Sequence, residues 1–135
     1  MHVVVTGAAG FIGSHVCERL VARGHRVTAI DSFDSYLYPA DRKRRNAAEL
    51  SGIAIVDGDI CDPAAVAGVI GKDVDVVCHL AALAGVRPSL ADPVRYVRTN
   101  VEGTTVIAER MRSLGLQRLV FASSSSVYGT KQDSD

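Results

Sequence analysis

The chain has 135 residues, 47% of them hydrophobic and 22% charged, a globular balance that excludes a disordered or low-complexity polypeptide. Fifteen basic and fifteen acidic residues cancel, so no global charge recruits nucleic acid or an anionic membrane surface. A chain of this length can bury roughly 70% of its unfolded surface, enough for the core of one domain.

The first element is a short β-branched strand, Val3-Val4-Val5, which runs into VVVTGAAGFIGSH with glycines at Gly7, Gly10 and Gly13. Ile12, Val16 and Leu20 then fall at helical spacing, and Gly24 follows as a stop signal. A second strand, Arg26 to Ile30, ends at Asp31. Ser32 to Ala40 reads as a polar and aromatic loop over the sheet edge, and the basic run Asp41 to Arg45 as the solvated face of an exposed helix, with phosphate recognition as the alternative. Ile53 to Val56 is a third strand, and Asp62-Pro63 opens a helix, with Asp as cap and Pro at the first position. Val74 to Leu80 is the fourth strand, Pro93 to Leu114 a long helix stopped by Gly115, and Leu119 to Ala122 the fifth strand.

The strands are nearly continuous in apolar character, as strands are when both faces of a sheet are covered. Their alternation with helices predicts a parallel, doubly wound α/β sheet. Five strands would supply the order 3-2-1-4-5 and leave the sixth strand of a full dinucleotide fold unaccounted for. Residues 1–135 are therefore expected to form one dinucleotide-binding Rossmann domain, cut short on its C-terminal side.

The glycine turn carries the first functional signal. Gly7 lets the chain leave the strand sharply, Gly10 leaves room for a pyrophosphate against the backbone, and Gly13 lets the helix approach the strand. The free N–H groups around Phe11 and Ile12 then face the phosphates at the positive end of the helix dipole. Asp31, eighteen residues after Gly13, can accept hydrogen bonds from both adenosine ribose hydroxyls and would repel a 2′-phosphate. The adjoining Ser32, Phe33 and Asp34 offer no arginine to welcome one, so NAD is expected rather than NADP. Ser32 joins the cofactor set by its position.

Cys17, Cys61 and Cys78 are odd in number and lie in apolar or helical segments. They read as small buried hydrophobes of a reducing, cytoplasmic protein. The four histidines are scattered and make no metal-ligand pattern. The N-terminal apolar run is too short for a signal peptide, and no segment approaches the length of a membrane span.

With these residues in hand, the chain resembles the extended short-chain dehydrogenase/reductase family, the NAD-dependent sugar-nucleotide epimerases and dehydratases. TGAAGFIGSH matches that family's T-G-x-x-G-x-x-G turn. Asp59-Ile60 resembles its adenine-edge pair, and His79-Leu80-Ala81-Ala82 its H-x-A-A strand end, which lines the cofactor. Asn100 resembles the helix asparagine that braces the central strands, and FASSSSVYG the strand carrying the catalytic Ser/Thr. The loop ALAGVRPSLADP and the segment FDSYLYPADRKRRNAAEL are most similar to those of UDP-glucuronate 4-epimerase-like enzymes.

The resemblance implies reversible removal of a hydride from a carbon of a nucleotide sugar, often C4, with a tyrosine phenolate as base and a lysine four residues on lowering its pKa. A Ser/Thr hydroxyl would hydrogen-bond the reacting oxygen. By position this is Ser124, with Ser123 and Ser125 as cofactor- or substrate-side neighbours. Arg87, in the loop after the fourth strand, could meet a substrate carboxylate or phosphate as a forked donor, or be a surface arginine.

The family's Y-x-x-x-K pair does not occur: four residues after Tyr36, Tyr38, Tyr96 and Tyr128 stand Ala40, Arg42, Asn100 and Gln132. The expectation is an enzyme's N-terminal portion, lacking the sixth strand and the C-terminal substrate domain, able to bind NAD and unable to turn over a UDP-sugar. A non-enzymatic dinucleotide module, or a dehydratase or decarboxylase of the same family, remains open. The apolar edge at Leu119 to Ala122 is expected to drive homo-oligomer formation.

Overall fold

The computed structural model describes residues 1–129, apart from the side chain of Ser126. Gln132, which entered the tyrosine–lysine search, lies outside the described residues. Five parallel strands, β1 (His2–Thr6), β2 (Arg26–Asp31), β3 (Ala54–Asp57), β4 (Val76–His79) and β5 (Leu119–Phe121), form one sheet in the order β3-β2-β1-β4-β5. This is the predicted doubly wound Rossmann-like topology, with the order reversing at β1.

β1 is buried throughout, and its alternate side chains serve two different cores. Val4 packs with Ile30 and Val77 under α3 (Pro63–Val69) and α6 (Gly103–Leu114), where Val66, Ile70, Ile107 and Met111 close the layer. Val3 and Val5 pack on the other face with Ala29 and Cys78, against Cys17 of α1 (Phe11–Ala22) and Leu50 just after α2 (Ala40–Glu49). The period of two along a strand is what divides one apolar run between two layers.

Several local expectations are met. The Asp62 side chain accepts a hydrogen bond from the Ala64 N–H at 2.8 Å, with Pro63 behind it. Gly115 ends α6 in the left-handed region at φ 72°. A second Asp-Pro cap, which the sequence reading did not single out, stands at α5 (Pro93–Val97), where Asp92 accepts from the Arg95 N–H.

Two expectations are corrected. The stripe Ile12–Val16–Leu20 is only partly the face that α1 buries: Val16 and Leu20 pack half-buried against the core, but Ile12 is exposed, and Gly13, Ser14 and Cys17 are the fully buried positions, because only the glycine lets the helix touch the turn beneath it. The segment Pro93 to Leu114 is not one uniform helix. Between α5 and α6 the ladder widens into a π turn, Arg98–Glu102, beside which the Thr104 and Thr105 hydroxyls donate back to the Asn100 and Val101 carbonyls. An additional short helix, α4 (Val86–Ala91), interrupts the loop before it. β5 is the uncovered edge that the sequence led one to expect: Leu119, Val120 and Phe121 are all exposed.

All three cysteines are free and buried. Burial, helped by the neighbouring Cys78, pushes the Cys17 thiol up to about 12, and burial beside Asp59 pushes Cys61 up to about 11, so both behave as inert small hydrophobes. No helix among the described residues is long and apolar enough to cross a membrane.

Candidate functional site

A cleft of about 990 Å³ opens over the carboxyl ends of β1, β2 and β4, the topological switch point where open α/β sheets bind ligands. Its floor is the glycine turn. Gly7 sits at φ 69°, donates its N–H to the Ile30 carbonyl at 2.9 Å, and would place a Cβ 2.8 Å from the Ala81 nitrogen. A Cβ on Gly13 would lie 2.1 Å from the Gly7 oxygen, so α1 can begin there only without a side chain. Gly10 is the N-cap and supplies no side-chain hydrogen bond, and the first turn holds no acidic residue. The amides of Phe11 and Ile12 therefore start a helix whose N-terminus is left to whatever enters the cleft.

Asp31 stands at the end of β2, nearly out of solvent. Its Oδ2 accepts from the Ala9 N–H at 3.0 Å, and its Oδ1 accepts from the Phe33 N–H at 2.9 Å and from Lys43 Nζ at 3.4 Å. Phe33 is held at φ 49°, the one described non-glycine residue with positive φ, and its amide contact to Asp31 fixes that turn. The lysine was not foreseen. α2 turns one face inward: Lys43, Asn46 and Ala47 are half-buried and Leu50 is buried just past its end. Asn46 Nδ2 donates to the Ala9 carbonyl at 2.9 Å. The basic run is thus not simply a solvated face; Arg42 and Lys43 line the cleft, while Arg44 lies over the Phe33 ring at 4.9 Å. The absence of a cation in the immediate Ser32–Asp34 neighbourhood holds along the chain but not in space.

Ser32, Asp59, Ile60, Leu80, Ala81 and Ala82 all line the cleft. Asp59 Oδ1 accepts from the Cys61 N–H at 2.9 Å, and Ile60 is buried between the cleft and the core. Asn100 does not line the cleft. It works one layer behind, where its side chain accepts from the Leu83 N–H at 2.8 Å and donates to the Leu83 carbonyl at 2.9 Å. That two-point clamp holds the segment after β4.

The catalytic and substrate candidates are less gathered. Ser124 and Ser125 are exposed just beyond β5, where Ala122 marks the rim of the cleft. Arg87 is exposed on the first turn of α4 and is not a lining residue. Besides Arg42, the arginines that reach the cleft are Arg95 and Arg98. Arg95 pairs with Asp34 at 3.1 Å and covers the Tyr36 ring at 4.5 Å; Arg98 lies 3.7 Å from Asp59. A sequence signal for Arg95 was available in the Asp92-Pro93 cap, which sets the helical register that carries it. No group of three or more potential metal ligands occurs among the described residues.

This geometry can be compared with known proteins. UDP-glucuronate 4-epimerase 3 of Arabidopsis thaliana is 43% identical over 134 residues, covering 94% of this chain and 30% of that protein. A solved UDP-glucuronic acid 4-epimerase variant from Bacillus cereus, in complex with NAD and UDP-4-deoxy-4-fluoro-glucuronic acid, superposes with a TM-score of 0.83 at 37% identity. It covers 97% of this chain and 42% of that one. The Thermus thermophilus UDP-glucose 4-epimerase in complex with NAD gives a TM-score of 0.79 at 36% identity, covering 92% of this chain and 38% of that one. This chain spans less than half the length of each. The profile of the NAD dependent epimerase/dehydratase family matches residues 3–135, and it is to this family that the chain, with its glycine turn and its β3-β2-β1-β4-β5 sheet, belongs.

Proposed function

We propose that residues 1–135 are the NAD-binding domain of a longer UDP-sugar 4-epimerase, of the kind that acts on UDP-glucuronate. The observation that carries this reading is the uncapped start of α1 against a turn that Gly7 and Gly13 alone can make. The amides of Phe11 and Ile12 would donate to the diphosphate. Asp31 and Lys43 would together hold the adenosine ribose, with Ser32 beside them. Asp59 and Ile60 would border the adenine, and Leu80, Ala81 and Ala82 would form the wall on the nicotinamide side, braced by Asn100. When bound, NAD supplies a reversible hydride acceptor for the sugar carbon.

Ser124 would hydrogen-bond the reacting sugar oxygen, and Ser125 and Arg87 would meet the substrate. The likeness to UDP-glucuronate 4-epimerases supports C4 as the carbon and a carboxylate-bearing sugar as the substrate. The general base is another matter. No tyrosine of this sequence has lysine four residues on, so the 135-residue chain binds the dinucleotide and does not catalyse. Free buried thiols suit a reducing compartment such as the cytoplasm, and exposed apolar faces support a homo-oligomer.

Isothermal calorimetry of the folded chain tests this directly. NAD is expected to bind, with NADP weaker because the Asp31 carboxylate faces the ribose, where a 2′-phosphate would have to sit, even with Lys43 beside it. Incubation with NAD and UDP-glucuronate is expected to yield none of the C4 epimer. Absence of heat with NAD would overturn the binding assignment; appearance of the epimer would overturn the account of the missing base.

A further inference from the structure

His79 is buried at the end of β4, away from solvent and outside the lining of the cleft. Its two ring nitrogens meet two threonine hydroxyls: Nδ1 lies 2.7 Å from Thr6 Oγ1 and Nε2 lies 2.9 Å from Thr104 Oγ1. The hydrogens in this chain can be assigned from both ends. At one end, the Thr104 hydroxyl lies 2.7 Å from the Asn100 carbonyl. A carbonyl only accepts, so the single Thr104 hydrogen goes there, and Nε2 must be the donor to Thr104. At the other end, Thr6 Oγ1 accepts the Leu80 and Ala81 N–H groups at 3.1 and 3.0 Å. Those contacts use its two lone pairs, so its own hydrogen goes to Nδ1. The Thr104 end puts a hydrogen on Nε2 and the Thr6 end leaves Nδ1 without one, so together they require a neutral imidazole protonated on Nε2. Burial also pushes the His79 pKa down, away from the charged form.

The groups joined in this way frame one segment. Thr6 holds the amides of Leu80 and Ala81, and the Ala81 nitrogen is the atom that a Cβ on Gly7 would strike. Asn100, whose carbonyl terminates the chain of bonds, grips Leu83 by both its N–H and its carbonyl. The ring Thr6–His79–Thr104–Asn100–Leu83 therefore closes around the 80–83 wall, and the π turn lies where Asn100 must serve both partners.

We propose that His79, as its Nε2-protonated tautomer, is a positioning residue for the dinucleotide crevice: it locks the Leu80–Ala81 wall to the start of α6, so that the wall and the helix segment bearing Asn100 are held as one unit. The proposal rests on the dinucleotide reading for its functional meaning, and the coupling itself does not.

The test is remote from the crevice. Thr104 does not line the cleft, and Thr104→Val keeps its shape while removing the acceptor for Nε2–H; Thr104→Ser restores the acceptor. Nitrogen NMR of the imidazole in the parent chain is expected to show one neutral tautomer with hydrogen on Nε2. Thr104→Val is expected to lose that preference, to speed hydrogen exchange of the Leu80 and Ala81 amides, and to weaken NAD binding about three- to tenfold, within the range for losing its bonds to His79 and to the Asn100 carbonyl. Thr104→Ser is expected to return all three toward the parent. A parent protonated on Nδ1, or a Thr104→Val variant whose tautomer changes without faster exchange at Leu80 and Ala81, overturns the proposal. If the parent shows the expected tautomer and exchange but binds no NAD, the dinucleotide reading fails while the coupling stands.

Discussion

A methyl group separates a working turn from a broken one at Gly13, and the three glycines of the turn are not equivalent. A Cβ at Gly13 would meet the Gly7 oxygen at 2.1 Å and the Ala8 Cα at 2.8 Å, both backbone atoms that cannot swing aside. At Gly10 the nearest atom would be 3.2 Å away, and φ is an ordinary −72°. Gly13→Ala is therefore expected to lower stability by about 1–3 kcal/mol, the range for overpacking. Gly10→Ala is expected to cost less than half as much in a urea melt, yet to reduce NAD affinity about tenfold by filling the place where the diphosphate nears the backbone. Equal destabilisation by the two variants would contradict this division. These residues were legible in the sequence because each is required by a local geometry. Lys43 was not, because α2 carries almost no apolar residues on its inward face until Leu50. Hydrophobic periodicity marks a face that is buried by apolar contact; it is silent about one that is turned in by hydrogen bonds to Ala9 and Asp31.

At the level of elements, strand and helix identities followed from β-branched runs and from the Asp62-Pro63 cap, and they needed no knowledge of neighbours. The π turn at Arg98–Glu102 did need it: its residues lie beside the Thr104 contact to His79 and the Asn100 grip on Leu83, both of which come from β4 and the loop beyond. The exposed surfaces of these elements also have a consequence. Leu90, Val94, Val97 and Val101 are 78%, 77%, 59% and 58% exposed and recur four, three and four residues apart. They lie on α4, α5 and the π turn rather than along one continuous helix, and form an exposed apolar surface of the kind that favours association. The open β5 edge beside Val120 is the rival surface. Light scattering at high concentration is expected to give a dimer, and Val97→Glu a monomer with an unaltered fold. A monomeric parent would contradict self-association, and a dimer that survives Val97→Glu but dissolves with Val120→Lys would move the contact to the sheet edge.

For the whole molecule, the topology was readable because a parallel sheet built from short apolar strands has few solutions once right-handed crossovers are required. What could not be read was which residues beyond the glycine turn would share the cleft. Arg95 reaches it through its pairing with Asp34, sixty-one residues away in sequence, and the candidates Ser124 and Arg87 stand outside its lining. Long-range placement of this kind depends on how α5 docks against the loop after β2, through Tyr36 and Tyr96, and no local pattern records it. The central claim, that the start of α1 is a diphosphate site, is tested most directly by a crystal structure of the chain with NAD. The account predicts diphosphate oxygens within hydrogen-bond distance of the Phe11 and Ile12 amides, and the adenosine ribose against Asp31 and Lys43. NAD seated elsewhere, with those two amides satisfied by the protein's own groups, would contradict it.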